Sequence, residues 1–167
     1  MHAGLGVMCL PPLAKYASVD EYLKHYQRVY CHGRIYTFDE IRVYFHVDKF
    51  GHMFYESSAR DGRKDVFSIV RAQRIDWIKY TLGHPKADLY QGWIKNARRH
   101  DPVRRVAVVY EQFVVVVSLW KKLDGSLKAN FVTCYQADNS ISKIRSSPKW
   151  SRSDYFHQIN QSVSFMK

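Results

Sequence analysis

The fold is decided by residues 103–120, which read VRRVAVVYEQFVVVVSLW. β-Branched and aromatic side chains fill both halves of this stretch, and only Glu111-Gln112 separates them, so the sequence predicts a hairpin or one long bent strand pair. Residues 113–117 contain no polar side chain, which indicates a strand buried on both faces. Asp124-Gly125 predicts a second turn, which pairs residues 127–136 antiparallel with this strand.

Helical patterns precede this sheet. Residues 18–30 predict one helix, with Ser18 as its N-cap. Residues 65–82 predict a second and longer helix, which Asp65 begins and Gly83 ends. The helices therefore come mainly from the first half of the chain.

Extended structure is predicted between and after the two helices. Residues 34–57 are rich in aromatic and β-branched side chains, and Asp48-Lys49-Phe50-Gly51 has the composition of a turn, so we expect a hairpin or a strand-turn-strand unit. A short element is expected at residues 87–99, with Trp93 packed inward. The predicted class is α+β, with N-terminal helices packed on a C-terminal antiparallel β-sheet of about four strands.

A length of 167 residues suits one globular unit. Within it we expect an N-terminal arm and helix over residues 1–33, the main α+β domain over residues 34–150 and a C-terminal tail over residues 151–167.

The chain is strongly basic. Lysine and arginine total 26 against 15 acidic residues, a formal charge of +11. Such an excess favours an anionic partner, most commonly nucleic-acid phosphate, and a basic but solvated surface is the alternative. A membrane-surface partner is disfavoured because no long amphipathic helix rich in lysine and arginine is evident. The longest apolar run, residues 113–120, is much shorter than the roughly 20 residues of a spanning helix. The cysteines fit neither a disulfide framework nor a metal-binding spacing and indicate a reducing cytoplasm; they are Cys9, Cys31 and Cys134.

Two histidines are the first candidates for catalysis. His46 and His52 lie on either side of the predicted turn, which can bring both imidazoles to one place. Cleavage of RNA without a metal needs one group to remove the proton of the ribose 2′-hydroxyl and another to protonate the leaving 5′-oxygen, and histidine titrates near neutral pH. A structural role for both is the alternative. A metal site is disfavoured because only Asp48 lies near them in sequence, and no cofactor is expected.

Further candidates belong to the second predicted helix and the last strand. Arg71 falls within the apolar stripe of that helix, where a guanidinium needs a carboxylate or phosphate partner, and Arg74 shares its face. Thr133 and Tyr135 share one face of the strand, where a hydroxyl can bind phosphate and a phenol can stack on a base. The basic segment SISKIRSSPKW, residues 140–150, adds three candidates for substrate binding, Lys143, Arg145 and Lys149.

Four short motifs carry a resemblance to known nucleases: HVDKFGH at residues 46–52, RAQRIDWI at residues 71–78, the valine-rich strand, and FVTCY at residues 131–135. On these motifs, and over roughly residues 35–150, the chain resembles the superfamily that groups barnase, EndoU-type nucleases, tRNA-cutting colicins and RelE toxins (BECR), especially its phage-associated branch. The resemblance implies an antiparallel sheet whose open face binds RNA, and metal-independent cleavage to a 2′,3′-cyclic phosphate. EndoU-type members use two histidines, a lysine and a Thr/Ser-x-Tyr pair, matched in kind here by His46, His52, Lys143, Thr133 and Tyr135, although Lys143 follows that pair whereas the family's lysine precedes it.

The resemblance also implies a biological context. Members of the superfamily are frequently toxins, so the implied substrate is tRNA, mRNA or ribosome-associated RNA, and the implied inhibitor is an acidic antitoxin or immunity protein that covers the basic groove. Two other classes of function stay open at this stage. They are a non-catalytic RNA- or DNA-binding module and a protein-interaction domain.

Overall fold

The computed structural model of the protein describes residues 9–164. The helices are α1 (Val19–Tyr26), which continues as a π-helical turn (Gln27–Cys31), α2 (Lys49–Phe54), α3 (Ile69–Ala72), α4 (Ile75–Gly83), α5 (Ile141–Arg145) and α6 (Arg152–Ser164). The strands are β1 (Ile35–Tyr36), β2 (Arg42–Tyr44), β3 (Tyr55–Glu56), β4 (Val66–Phe67), β5 (Asp88–Ile94), β6 (Arg99–Tyr110), β7 (Phe113–Lys121) and β8 (Leu127–Gln136). The α+β class predicted from the sequence is confirmed.

The main sheet of the described residues has six strands in the order β1-β2-β8-β7-β6-β5. Strands β5 to β8 form an antiparallel meander, and the predicted pairing of β6, β7 and β8 is confirmed. The prediction of about four antiparallel strands is wrong in two respects, because β2 adds to β8 in parallel and β1 adds to β2. These added strands are two and three residues long, too short for an alternating pattern to reveal them.

The principal core lies between the helices and one face of the sheet. Val115 and Val117 of β7 point into it, as do buried side chains of α1, α2 and α4. Two tyrosines tie the first helix to its neighbours: the Tyr26 hydroxyl donates to the His46 carbonyl at 2.8 Å, and the Tyr30 hydroxyl donates to the Ile75 carbonyl at 2.6 Å. The first helix is therefore held by polar as well as apolar contacts.

The second face of the sheet carries a smaller apolar cluster. Val114 and Val109 belong to it, and Ile141 and Ile144 of α5 pack against it. Because Val114, Val115 and Val117 are all almost fully buried, the predicted two-sided burial of this strand is confirmed. Beyond α5, this second face contributes to a cavity described below.

The segment predicted as the turn 48–51 forms part of helix α2 instead. Phe50, Met53 and Phe54 are buried at helical spacing, and their burial outweighs the turn preference of Gly51. Asp48 occupies the N-cap position of this helix.

The long helix predicted for residues 65–82 is shorter and interrupted. Val66 and Phe67 pair with Tyr55 and Glu56 as β4 and β3, so helix begins only after Ser68. Asp65, predicted as the cap, instead accepts hydrogen bonds from Ser58. The predicted end at Gly83 is confirmed.

The element expected at residues 87–99 is strand β5 followed by a turn. Its register with β6 breaks after Gln91: Gln91 pairs with Val106, whereas Gly92 pairs with Asp101. Residues 102–105 therefore form a bulge in β6, which changes the direction of the side chains along that strand. Trp93, expected to pack inward, is 51% exposed.

Both ends of the described chain pack on the domain. The Trp77 indole donates to the Pro11 carbonyl at 2.7 Å and the Ala14 amide donates to the Gln73 carbonyl at 2.8 Å, so residues 9–15 are attached rather than loose. Residues 1–8 of the predicted arm lie outside the described residues. The predicted C-terminal tail contains α6, whose Tyr155 is buried.

The Tyr30 hydroxyl bond gives a test of this packing. Tyr30→Phe removes the donor to the buried Ile75 carbonyl and the acceptor for the Lys79 amide, so we expect the free energy of unfolding to fall by about 1–3 kcal/mol. Urea denaturation measures this change. Tyr36→Phe, at a side chain 46% exposed, is the matched control and should change stability by less than about 0.5 kcal/mol. Equal effects of the two variants would contradict the assigned role of Tyr30.

Candidate functional site

A cleft of about 260 Å³ lies where α3 and the start of α4 face the end of β8. We call it the Arg71 cleft. Its lining comes from segments far apart in sequence: Met53, Glu56, Val70, Arg71, Arg74, Phe113, Cys134, Tyr135, Gln136 and Asp138. Three residues nominated from the sequence, Arg71, Arg74 and Tyr135, meet here.

Arg71 is paired with a carboxylate that the sequence analysis did not single out. Its Nε donates to Glu56 Oε1 at 2.8 Å, and the two side chains are 40% and 50% exposed. An ion pair that solvent reaches to this extent contributes only about 0–1 kcal/mol to stability. A phosphate can therefore compete with Glu56 for the guanidinium.

Arg74 is oriented by several contacts. Its Nε donates to Gln136 Oε1 at 2.7 Å, a terminal nitrogen donates to the Val70 carbonyl, and the guanidinium lies over the Trp77 ring at 5.0 Å. Gln136 is held in turn by Asp138, which accepts its amide at 2.8 Å. The second arginine thus lines the cleft in a fixed position.

Two further groups of the cleft stay protonated at neutral pH. Burial raises the pKa of the Cys134 thiol to about 12, although the charge of Arg71 acts in the opposite direction. Burial also raises the pKa of the Tyr135 phenol. Cys134 is therefore a poor nucleophile, whereas Tyr135 remains a hydrogen-bond donor.

His52 lies on α2, next to the cleft residue Met53, but is outside the cleft lining. Partial burial is the first cause that lowers its pKa from 6.5, followed by the positive charges of Lys49, Lys64 and Arg71. The imidazole is therefore within electrostatic range of Arg71 and is mostly neutral at neutral pH.

His46 stands apart from these groups. Its backbone carbonyl accepts a hydrogen bond from the Tyr26 hydroxyl. His46 is otherwise exposed, and it does not line the cleft. The sequence predicts that a turn at residues 48–51 brings His46 and His52 together. Helix α2 forms there instead, so no such turn brings the two imidazoles to one place.

A second concavity of about 260 Å³ lies on the second face of the sheet, and we call it the Trp93 cavity. It is lined by strands β5 to β8 together with Ile144 and Ser147. Thr133 and Tyr135, nominated as a pair, both line it. Tyr135 also lines the Arg71 cleft, so the two concavities share one residue.

Two of the nominated cations in residues 140–150 bind the same carboxylate of the protein. Arg145 and Lys149 contact Asp88 at 2.8 and 3.0 Å, and the hydrogen bond from Lys149 is the main cause that lowers the Asp88 pKa. Lys149 also lies 4.3 Å above the Tyr90 ring. Lys143 is exposed on α5. Arg145 and Lys149 therefore serve first to attach this segment to β5.

Sequence reasoning missed four residues of the two concavities. Glu56 of the Arg71 cleft follows α2, and its link to Arg71 depends on the small β3-β4 sheet. The other three are in the Trp93 cavity: Trp93, His100 and Arg105. The sequence does contain a pattern that could have indicated a ligand-binding surface here, because residues 92–105 contain five cations and an aromatic residue within fourteen positions.

Residues 9–164 contain no group of three or more His, Cys, Asp or Glu side chains arranged to hold a metal ion. None of the helices in that range combines the length and the apolar character needed to cross a bilayer.

Comparison of the chain with protein-family models, with curated proteins and with solved structures found no match.

The electrostatic link between His52 and Arg71 can be measured directly. We expect the His52 pKa, followed by NMR titration of the imidazole, to lie below 6.5, and Arg71→Gln to raise it because a positive charge is removed. Arg74→Gln is the matched control, since Arg74 is not among the charges that act on His52. An unchanged His52 pKa in Arg71→Gln would show that the charge of Arg71 does not act on His52.

Proposed function

We propose that this protein is a metal-independent endoribonuclease whose reaction centre is the Arg71 cleft. The observation that carries the proposal is the ion pair at 2.8 Å between Arg71 and Glu56 in a cleft that Arg74 also lines. The charge of Arg71 is also the smallest of the causes that lower the His52 pKa, after burial and the charges of two lysines. A carboxylate, an imidazole and a phosphate-binding group can supply the base, the acid and the charge stabilisation that cleavage of RNA by its own 2′-hydroxyl needs.

The reaction needs two proton transfers. A base takes the proton of the 2′-hydroxyl, the 2′-oxygen forms a bond to phosphorus, and the bond from phosphorus to the 5′-oxygen breaks. An acid then gives a proton to that 5′-oxygen. The products are a 2′,3′-cyclic phosphate and a free 5′-hydroxyl, and neither transfer requires a metal.

We assign the base to Glu56 and the acid to His52. Binding of a phosphate to Arg71 displaces Glu56 from the half-exposed ion pair, which leaves the carboxylate able to accept the proton. The same phosphate places negative charge near His52 and opposes the cations that lower the His52 pKa. Substrate binding thereby prepares both groups.

The remaining cleft residues bind and orient the substrate. Arg74 offers a second guanidinium to phosphate oxygens, and Tyr135, whose raised pKa keeps its phenol protonated, can donate a hydrogen bond or stack on a base. Thr133 lies in the adjoining Trp93 cavity and is assigned to the neighbouring nucleotide. Lys143, exposed on α5, adds positive charge outside the cleft.

A toxin-like role follows by analogy with the resemblance stated above. Uncontrolled cleavage of RNA harms the cell that makes the enzyme, so a protein inhibitor would be needed. Because the protein itself carries a net charge of +11, we expect this inhibitor to be acidic and to cover the Arg71 cleft.

Cleavage of RNA in excess EDTA is the primary test. The purified protein should produce fragments ending in 2′,3′-cyclic phosphate, and His52→Ala and Glu56→Gln should each reduce the rate by roughly 10²–10⁴-fold because one proton transfer is lost. His46→Ala and the control His157→Ala, at an exposed histidine of α6, should retain most of the activity. Loss of activity in His46→Ala would return the second catalytic role to His46.

The pH profile of kcat/KM tests the assigned role of His52. An acid must be protonated in the free enzyme, and the His52 pKa is lowered from 6.5, so kcat/KM should fall as pH rises through a midpoint below 6.5. The profile is measured with a fluorogenic oligoribonucleotide. A rate that instead rises with pH across this range would make His52 the base.

Intact RNA in every assay would favour the alternative of a non-catalytic RNA-binding module. Under that alternative, Arg71 and Arg74 bind phosphate without reaction, and salt-sensitive binding of RNA would persist.

A further inference from the structure

A second electropositive surface lies at the end of the β5-β6 hairpin, residues 92–105. Five cations, Lys95, Arg98, Arg99, Arg104 and Arg105, are concentrated there against one carboxylate, Asp101. We call it the basic hairpin.

The single carboxylate of the basic hairpin is buried and directed inward. Asp101 is 5% exposed and its Oδ1 accepts the amides of Val103 and Arg104 at 3.0 and 3.1 Å. The guanidinium groups of Arg99 and Arg104 approach its other oxygen only at 3.8 and 3.9 Å. Asp101 therefore organises the backbone of the bulge and leaves the outer cations largely exposed to solvent.

The bulge directs Arg105 into the Trp93 cavity. Gly92 permits this arrangement, because a Cβ at position 92 would lie 2.4 Å from the Arg105 Cβ. A contact from another segment also fixes the bulge, since the Trp150 indole donates to the Pro102 carbonyl at 2.9 Å. Arg105 thus contributes to the wall of the cavity.

An aromatic side chain stands among these cations. Trp93 is 51% exposed, although tryptophan is an apolar residue that usually gains from burial. His100, its direct cross-strand partner, lies edge-on to the indole at a ring distance of 5.1 Å and an angle of 73°. The imidazole supports the indole and leaves half of its surface exposed.

We propose that Trp93 is a stacking site for an unpaired base of single-stranded RNA, whose phosphates follow the cations of the basic hairpin. Exposed aromatic rings between cations are the usual means of binding single strands, because every base has a face that can stack and every nucleotide carries a phosphate. The inference rests on the proposed function for the identity of the ligand. It extends the contact surface away from the cleft in which cleavage is proposed.

Tyr135 gives the bound strand a route between the two sites. It lines both the Trp93 cavity and the Arg71 cleft, and the proposed path of the strand runs from Trp93 past Thr133 and Tyr135 to Arg71. The basic hairpin then selects RNA that is unpaired on one side of the cleaved bond.

The test is fluorescence anisotropy with a labelled 2′-O-methyl RNA 12-mer, which the proposed reaction cannot cleave because it lacks the free 2′-hydroxyl. Trp93→Ala should weaken binding roughly ten-fold, in line with the loss of one stacked base. Trp93→Phe should retain most of the affinity, because it keeps a ring. Tyr36→Ala, an aromatic residue 46% exposed on the opposite edge strand, is the matched control and should bind as the unaltered protein does.

Charge and strandedness complete the test. Lys95→Gln/Arg98→Gln should reduce the slope of log affinity against log salt by about 1.4, whereas Lys79→Gln/Lys86→Gln, on exposed lysines near the end of α4, should not change it. A duplex of the same sequence should bind at least ten-fold more weakly. Equal affinity for duplex and single strand, or wild-type affinity in Trp93→Ala, would overturn the inference.

The outcomes separate this inference from the proposed function. If no RNA is cleaved but Trp93→Ala still weakens binding, the nuclease proposal fails and the stacking site stands. If RNA is cleaved and Trp93→Ala binds normally, the nuclease proposal stands and the stacking site fails.

Discussion

The whole structure depends on the burial of one strand, β7, on both of its faces. Val114, Val115 and Val117 leave almost no surface to water, so each face of the sheet must be covered by another part of the chain. The helical layer covers one face and α5 covers part of the other. Both the Arg71 cleft and the Trp93 cavity are lined in part by strands of this sheet.

The sequence predicts the elements whose signals are local and fails where distant contacts decide. The three-stranded part of the meander follows from two turns and from apolar composition, and Gly83 ends its helix as expected. The sequence predicts a turn where helix α2 forms, because Gly51 suggests a break. Burial of the aromatic side chains next to Gly51 in the helix decides the conformation instead. Asp65 was mistaken for a cap because the pairing of β3 with β4 cannot be seen from sequence spacing.

The residues of the candidate site show the same difference between local patterns and distant contacts. Arg71 and Arg74 could be predicted together because they lie three positions apart on one segment, and Tyr135 followed from strand alternation. Glu56 could not, because its contact with Arg71 spans fifteen residues and a separate small sheet. Composition alone placed Arg145 and Lys149 among the ligand-binding residues, while the acidic partner that engages them, Asp88, lies more than fifty residues earlier.

The attachment of residues 148–150 to β5 has a consequence for the behaviour of the molecule in concentrated solution. The backbone amide of Gln91 donates to the Pro148 carbonyl at 2.8 Å, and the backbone amide of Trp150 donates to the Leu89 carbonyl at 3.0 Å. Part of the outer edge of the sheet, strand β5, is therefore already paired. The other edge, β1, is only two residues long. Sheet edges that are short, occupied or flanked by cations offer no continuous template for a second chain, which protects a protein so rich in valine and aromatic residues from edge-to-edge aggregation.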